Sequence, residues 1–328
     1  MDREVGIGSK DGSNDRGVTA RRGRSASAHA RERLARAMHR LLELGGARMA
    51  SGFVPLDGGA IHYLEGGQGH PVVLLQGAGG GAANWYRVFP ALTASFRVLA
   101  PDLPGFGLSD AVPITLPLGS HAARLVRRWL QALGIGRFDV VGTSFGGLIA
   151  LRLSLEWPGA VRRLVLLDSA GLGRALPVLV RLAGRRPLGR LALEPSLSGT
   201  RWQFRLLLTA DRSRIGPEHE RALVEYLYWS SAAAPPGTMA EALGHFTGLR
   251  GQRERLSDAE LASIRSPTLV LWGARDRFLP PAHGERAAAL IPHAVFCAIP
   301  NAGHSPNWEA PDAVNRLLVP FLAHGADA

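Results

Sequence analysis

One short stretch, VVGTSFGGLIA at residues 140–150, places a single serine between glycines, after one apolar run and before another. The surrounding FDVVGTSFGGLIALRLSLEWP (138–158) predicts an apolar strand, a turn of small residues and then a helix. In that setting a strained turn lifts a serine hydroxyl above the edge of a sheet. Gly142 and Gly146 would remove the β-carbons that clash in such a turn, and the helix N-terminus would favour negative charge beside Ser144. Ser144 is therefore a candidate nucleophile, provided that the chain also supplies a base.

A serine hydroxyl is a weak nucleophile unless a base takes its proton, so a histidine is required. His304 is the best candidate, because IPNAGHSPNWEAPDAV (299–314) follows the last apolar strand and precedes the final helix. Other histidines, such as His62, are expected at the surface. The base needs an acid that holds its tautomer, and both Asp276 and Asp168 follow apolar strands. We favour Asp276, because its strand directly precedes the one that delivers His304 and both loops then lie on the same side of the sheet.

Short apolar runs separated by glycine and proline recur along the chain, and helical stretches follow them. Runs without polar alternation indicate strands that are buried on both faces of a parallel sheet. The predicted strands are Val72–Leu75, Val98–Leu99, Val140–Val141, Leu164–Leu167, Leu269–Trp272 and Val295–Ile299, with helices at Gly119–Leu133 and Leu148–Glu156 and a hairpin from Phe53 to Leu64. The predicted fold class is α/β, a mostly parallel central sheet with helices on both faces.

The strand pattern stops between about residues 171 and 265, where an arginine- and leucine-rich helical pattern carries scattered aromatic residues. This segment is predicted to be an insertion between two strands of one sheet. The chain then divides into a disordered leader (1–28), an N-terminal amphipathic helix (29–50), two parts of one core (51–170 and 256–328) and the insertion (171–255). The apolar face of the N-terminal helix is formed by Leu34, Met38, Leu41 and Leu42. That face either packs on the body of the protein or makes a peripheral contact with a membrane surface or a partner.

The chain order Ser144, Asp276, His304, together with Gly-x-Ser-x-Gly, is the pattern of α/β-hydrolases. The sequence resembles that superfamily from about Phe53 to Leu322, and VVLLQGAGGGAANWYRVFPALTASFRVLAPDLPGFGLSD (72–110) is similar to its first strand, oxyanion loop, tryptophan-bearing helix and following turn. The resemblance implies that the insertion is a helical cap. Its aromatic and leucine side chains then either line an acyl pocket or pack the cap on the core.

The resemblance also implies an oxyanion hole, formed by the backbone N–H groups of Phe145, directly after the serine, and of Ala78 in the loop QGAGGG (76–81). Relatives usually carry histidine where this chain has Gln76. Because the loop serves to aim a backbone amide, a glutamine that bonds the same neighbours would preserve function. A glutamine that does not would lower or alter the activity.

The composition narrows the possible partners of this chain of 328 residues, which has a formal net charge of +11. Lys10 is the only lysine, and the arginines are spread along the chain without interleaved aromatic residues, so no nucleic-acid partner is predicted. The single cysteine, Cys297, permits no intramolecular disulfide. The first residues contain no uninterrupted apolar stretch of signal-peptide length, and no apolar segment approaches the length of a membrane span. A cytoplasmic protein is the expectation. No cluster has metal-ligand spacing and serine acyl transfer needs no cofactor, so neither a metal nor an organic cofactor is predicted.

These features predict a serine hydrolase that cleaves carboxylic esters of small to medium apolar substrates through an acyl-enzyme intermediate. A serine nucleophile argues against epoxide hydrolysis and dehalogenation, for which relatives use aspartate. One alternative is a carbon–carbon bond hydrolase of the meta-cleavage type, which QGAGGGAANW (76–85) resembles, although such relatives tend to carry tryptophan where this chain has Ser305. An alternative of another class is a ligand-binding protein without turnover, which only Gln76 suggests.

Overall fold

An eight-stranded sheet forms the centre of the computed structural model, which describes residues 14–113, 115–185, 189 and 193–324, with side-chain surroundings from residue 28 onward. The strands are β1 (Ala50–Leu56), β2 (Gly59–Gly66), β3 (Pro71–Leu75), β4 (Arg97–Pro101), β5 (Phe138–Thr143), β6 (Val161–Leu167), β7 (Thr247–Gly248), β8 (Gly251–Gln252), β9 (Thr268–Gly273) and β10 (Ala294–Ile299). Their order across the sheet is β1-β2-β4-β3-β5-β6-β9-β10, while β7 and β8 pair separately. Only the pairs β1–β2 and β2–β4 of the large sheet are antiparallel, so the predicted mostly parallel α/β sheet is confirmed.

The inner strands bury side chains on both faces of the sheet. In β3, Val72 and Leu74 belong to one apolar core, and Val73 and Leu75 belong to the other. Successive side chains of a strand point to opposite faces, so a sheet that is covered on both sides needs apolar residues at every position. This is why the strand sequences show continuous apolar runs.

Helices cover both faces. Their bounds are α1 (Asn14–Gly45), α2 (Phe89–Thr93), α3 (Leu118–Ala132), α4 (Phe145–Glu156), α5 (Val178–Ala183), α6 (Leu197–Gln203), α7 (Pro217–Ala233), α8 (Thr238–Phe246), α9 (Asp258–Ala262), α10 (Ala282–Leu290), α11 (Pro306–Glu309) and α12 (Pro311–His324). Side chains of α1, α2 and α12 lie in the first core, and those of α3, α4 and α10 lie in the second. Among the described helices, none combines the length and the apolar composition that crossing a membrane requires.

The N-terminal helix α1 is longer than predicted. It begins at Asn14 rather than near residue 29, so the prediction of disorder is wrong for residues 14–28, and residues 1–13 of the predicted leader lie outside the described residues. Alanine and arginine are frequent in this part, and their high helix propensity favours continuation of the helix beyond its packed section. The apolar face of α1 packs against α7, and its Leu34 and Leu41 side chains are 1% and 0% exposed. That face is therefore inside the protein.

The chain leaves the sheet after β6 and returns to it at β9. Helices α5 to α9 and the β7–β8 hairpin lie between these strands, in the region that the sequence predicts as an insertion. Side chains from the insertion and from the carboxyl ends of the strands enclose a cavity of about 480 Å³. The cavity lies at the sheet edge where ligands bind in open α/β sheets.

Candidate active site

Ser144 lies in a sharp turn between β5 and α4. Its backbone angles, φ 52° and ψ −120°, are rare for a residue with a β-carbon, which indicates local strain. A β-carbon at Gly142 would lie 2.3 Å from the carbonyl oxygen of Gly146, and one at Gly146 would lie 2.2 Å from that of Leu75. Both glycines are required by this close packing. The helix α4 begins directly after Ser144, so the serine sits at a helix N-terminus.

His304 and Asp276 are joined by a hydrogen bond. His304 Nδ1 donates to Asp276 Oδ2 over 2.8 Å, and both residues are buried. Asp276 Oδ1 accepts from the amides of Phe278 at 2.7 Å and Leu279 at 2.9 Å, which fixes the carboxylate. Because a carboxylate only accepts, the imidazole proton lies on Nδ1, and Nε2 is left as a base.

The loops that carry this pair approach each other closely. A β-carbon at Gly273, at the end of β9, would lie 1.9 Å from the carbonyl oxygen of Gly303, and the amide of Arg275 donates to the carbonyl of Ala302 over 2.9 Å. The absence of a side chain at Gly273 therefore lets the loops after β9 and β10 meet. This contact places the acid and the base at hydrogen-bond distance.

Ser144 and His304 line the same cavity. The serine is half-buried, and its hydroxyl has no hydrogen-bond partner within the described part of the chain. Hydrogen bonds between nucleophile and base are often long without substrate and tighten when substrate binds. The predicted acid and base are thus hydrogen-bonded to each other, and the predicted nucleophile lines the same cavity as the base.

The backbone N–H groups of Ala78 and Phe145 have no acceptor among the described residues. Both residues line the cavity beside Ser144, and a β-carbon at Gly77 would lie 3.1 Å from the β-carbon of that serine. Two unpaired donors beside a nucleophile are the arrangement that stabilises a developing oxyanion. The geometry of the loop is therefore compatible with the predicted oxyanion hole.

Asp102 holds the oxyanion loop, and the sequence analysis missed it. Its Oδ1 accepts from the amide of Ala82 over 2.6 Å, and its Oδ2 accepts from Leu108 N and from His62 Nδ1, both over 2.7 Å. The prediction that His62 lies at the surface is wrong, because the ring is 0% exposed and its Nε2 accepts from the Ser51 hydroxyl. An aspartate directly after β4 was the available signal, but no local pattern pairs it with a histidine 40 residues earlier.

Two side chains of α7 bind the same loop from the side of the insertion. The Tyr226 hydroxyl accepts from the amide of Ala83 over 3.2 Å. The Ser230 hydroxyl donates to the carbonyl of Gly80 over 3.1 Å and accepts from the amide of Gly107 over 3.3 Å. Because α7 also packs against α1, the N-terminal helix supports the oxyanion loop indirectly.

Gln76 does not form the contacts that would replace a histidine. The side chain is 0% exposed, and neither its oxygen nor its nitrogen has a partner within the described part of the chain. The position of the loop depends instead on Asp102, Tyr226 and Ser230.

Asp168, the rival acid, is buried beside the acid–base pair. Its Oδ1 accepts from the amide of Gly273 over 2.9 Å, and no hydrogen bond joins it to His304. Burial raises the pKa of the Asp168 carboxyl well above its usual range, and the negative charge of Asp276 raises it further. Asp168, Asp276 and His304 offer ligand atoms within 4.8 Å of one another, but the Nδ1 of His304 is already engaged by Asp276. Of these three side chains, His304 and Asp276 are thus joined by a hydrogen bond, and Asp168 lies beside them.

The cavity is lined mainly by apolar side chains. They include Leu103, Phe106, Leu179, Trp202, Met239 and Phe246. Within the described ranges no lysine or arginine lines it, whereas the acidic Glu194 does. Asn84 and His121 also line it, and each has a buried polar atom without a protein partner, Oδ1 and Nε2 respectively. The cavity can therefore take an apolar group and offers two polar side chains to the rest of a ligand.

Comparisons with known proteins identify the family of this chain. The family model of the alpha/beta hydrolase fold matches residues 70–311. A 2-hydroxy-6-oxo-6-phenylhexa-2,4-dienoate hydrolase from Burkholderia cepacia is 37% identical over 273 residues, which are 81% of this chain and 92% of the relative. The structure of a hydrolase of the same name from Rhodococcus sp. strain RHA1 is 26% identical, with a TM-score of 0.72, and the match covers 83% of this chain and 98% of that one. A bacterial membrane phospholipase A is 28% identical, with a TM-score of 0.74, and the match covers 95% and 98% of the two chains.

Proposed function

Because the chain belongs to the α/β-hydrolase fold family, we propose that it is a carbon–carbon bond hydrolase acting on 2-hydroxy-6-oxo-dienoates with an apolar group at carbon 6. The observation that carries the proposal is the 37% identity to a hydrolase named for the 6-phenyl compound, over 92% of that relative. The apolar cavity beside Ser144 suits a phenyl or similar group. The ester hydrolysis that the sequence favours becomes the second candidate.

The first chemical step converts the 2-hydroxydienoate into a diketone that can stabilise the electrons of the bond to be broken. A proton moves from the 2-hydroxyl to carbon 5, which gives a 2,6-diketone, and we assign the transfer to His304 Nε2. Without this step, cleavage would leave an unstabilised negative charge on carbon 5. With it, the electrons of the bond between carbons 5 and 6 flow to the 2-keto oxygen.

Ser144 then attacks the ketone. Its Oγ forms a bond to carbon 6, its proton passes to His304 Nε2, and the new oxyanion accepts from the N–H groups of Ala78 and Phe145. Asp276, bonded to His304 Nδ1 over 2.8 Å, stabilises the imidazolium that forms.

Collapse of this intermediate breaks the bond between carbons 5 and 6. The released fragment takes the proton of His304 and leaves as a 2-hydroxydienoate, while the acyl group stays on Ser144 as an ester. Water attacks that ester with His304 as the base, and the acyl group leaves as a carboxylic acid. Ester substrates share this second half-reaction, which is why the same residues serve both candidate functions.

The carboxylate of a dienoate needs polar partners in the cavity. His121 is placed for this task, because it lines the cavity and its ring Nε2, which can donate when it carries a proton, has no protein partner in the described chain. Asn84 also lines the cavity, but its unpartnered atom Oδ1 is an acceptor, so only its amide nitrogen can donate to a carboxylate. Burial is the main cause that lowers the pKa of His121, so this side chain is mainly neutral at pH 7 and becomes a cation in more acidic solution.

Two observations favour the second candidate, an esterase acting on small to medium apolar esters. No cation lines the described cavity, and Ser305 rather than tryptophan follows His304. A neutral ester would need neither a cation in the cavity nor a tryptophan after the histidine. Neither observation changes the proposed role of Ser144.

The test compares both substrate classes on one preparation. We expect the protein to consume 2-hydroxy-6-oxo-6-phenylhexa-2,4-dienoate, followed by the loss of its visible absorbance, with a higher kcat/KM than any p-nitrophenyl ester from acetate to long acyl chains. Ser144→Ala should abolish both activities. Turnover of esters alone would establish the second candidate. Failure of a fluorophosphonate to label Ser144 in folded protein would instead indicate a binding protein without turnover.

A further inference from the structure

Asp168 occupies an unusual position for a carboxyl group. It directly follows β6 with a positive φ of 46°, and its side chain is 0% exposed. Oδ1 accepts one hydrogen bond, from the amide of Gly273 over 2.9 Å, whereas Oδ2 is buried without any donor in the described chain. A buried carboxylate normally requires several donors or a cation, and this one has a single neutral donor.

A second carboxyl group lies beside it. Asp168 and Asp276 each place an oxygen within 4.8 Å of the other and of a His304 nitrogen. Asp276 accepts three hydrogen bonds, from Phe278, Leu279 and His304, so it is the better-stabilised carboxylate. Two carboxyl groups in one buried site do not both ionise, and the group with fewer donors keeps the proton.

We propose that Asp168 is a positioning residue, a neutral carboxylic acid whose Oδ2–H donates to the Asp276 carboxylate and holds it in line with His304. This hydrogen bond gives Asp168 Oδ2 a partner, which it otherwise lacks. It also leaves one negative charge, that of Asp276, to face the imidazole. The inference rests on the proposed function only in giving Asp276 and His304 a catalytic task.

The charges around Asp168 are consistent with this assignment. The other titratable groups that act on it are Asp276 and Glu309, and both of their negative charges disfavour its ionisation. His304 lies in the same cluster but directs its Nδ1–H to Asp276. The pKa of Asp168 is raised well above its usual range, with burial as the largest cause, which agrees with a neutral group.

The first test needs no substrate. In Asp168→Asn the amide oxygen can accept from Gly273 and the amide nitrogen can donate to Asp276, so both proposed hydrogen bonds are kept. We measure the free energy of unfolding of both proteins as the pH rises from 5 to 7. The unmutated protein should lose stability relative to Asp168→Asn, with the slope expected when one proton is released on unfolding. The unfolded Asp168 is ionised there, with a pKa of about 3.9, while the folded one keeps its proton. Equal slopes in urea unfolding would show that folded Asp168 is ionised and would overturn the proposal.

The second test measures the reactivity of Ser144 toward a fluorophosphonate as a function of pH, which does not depend on the class of substrate. We expect Asp168→Leu, which has no donor, to slow labelling about tenfold or more, because a misplaced partner changes the geometry at His304. Asp168→Asn should restore most of the rate with the same apparent pKa in the pH profile. If Asp168 were ionised, the amide would remove a negative charge near His304 and shift that pKa downward. Such a shift, or an equal loss in both variants with equal melting temperatures, would contradict a hydrogen-bond donor at this position.

Discussion

The Glu309 carboxylate accepts a 2.6 Å hydrogen bond from the amide of Gly303, the residue directly before His304. Its other oxygen accepts from the amides of Ala210 and Asp211, at 2.8 Å and 2.7 Å, in the insertion. Glu309 is 2% exposed, and burial raises its pKa, although the three amide donors oppose this effect. One buried carboxyl thus ties the loop of the candidate base to the segment that covers the cavity.

Removing this carboxyl should cost both stability and activity. Glu309→Ala leaves three amide donors without their acceptor, and we expect a loss of about 2–4 kcal/mol in the free energy of unfolding. Glu309→Gln keeps the shape and one acceptor oxygen and should lose less. Urea unfolding of the two variants measures the difference. An unchanged urea midpoint for Glu309→Ala would mean that the three amides find other partners.

Replacing Asp276 should affect turnover far more than folding. Asp276→Asn offers an amide where His304 Nδ1–H requires an acceptor, so we expect kcat to fall about 10³–10⁴-fold through loss of the correct tautomer. Asp168→Asn is the matched control and should lose much less. Turnover and circular dichroism of the two variants provide the measurement. The reverse order of losses would assign the role of the acid to Asp168.

The N-terminal helix should be needed for stability. A chain that starts at Ala47 would expose the face of α7 that packs against α1, and we expect a large drop in melting temperature together with reduced activity. Leu34→Ala removes one buried contact and should cost about 2–5 kcal/mol. Arg36→Ala is the control on the same helix, because that side chain is 68% exposed. An undiminished melting temperature in the shortened chain would show that α1 is dispensable.

Gln76 should be replaceable by an apolar residue of similar shape. Gln76→Met removes two buried polar atoms that have no protein partner, and we expect the free energy of unfolding to rise by about 1–3 kcal/mol. The oxyanion loop should keep its position, since Asp102, Tyr226 and Ser230 hold it. Thermal unfolding and ester turnover measure the two effects. A loss of stability would indicate that buried water satisfies the amide.

His121 should distinguish substrates with a carboxylate from neutral ones. We expect His121→Leu to raise KM for the phenyl dienoate about tenfold, because the substrate would lose about one hydrogen bond. KM for p-nitrophenyl acetate should stay nearly unchanged. The pKa of His121 is lowered from 6.5, so the dienoate should bind the unmutated protein more tightly as the pH falls below 6.5 and the cation forms. Steady-state kinetics between pH 5 and 8 test both statements. Equal changes in KM for the two substrates would exclude a role in carboxylate binding.

Short sequence patterns were sufficient to predict the turn at Ser144 and the parallel sheet. The turn at Ser144 follows from small residues between a strand and a helix, and the parallel sheet follows from apolar runs without alternation. The choice of Asp276 needed only the order of strands, because neighbouring loops at one sheet edge meet. The His304–Asp276 hydrogen bond agrees with that reasoning.

The supporting contacts were beyond such patterns because they join distant segments. His62 meets Asp102 across 40 residues, and Tyr226 meets Ala83 across 143. The start of α1 at Asn14 was missed for a different reason: a polar, alanine- and arginine-rich stretch satisfies the criteria for disorder and for an exposed helix equally well. The substrate class also depends on which side chains face the cavity, and this is set by the packing of the whole insertion.

The insertion provides two surfaces with different freedom to change. Helix α7 is hydrogen-bonded to the loop at residues 76–83 through Tyr226 and Ser230, so a mutation there should disturb the proposed oxyanion hole whatever the substrate. Helices α5 and α6 contribute Leu179 and Trp202 to the cavity, and these side chains are 61% and 47% exposed. Substitutions in α5 and α6 can therefore change the lining of the cavity without touching the loop at residues 76–81, whereas substitutions in α7 or in the part of α1 that packs on it act on that loop.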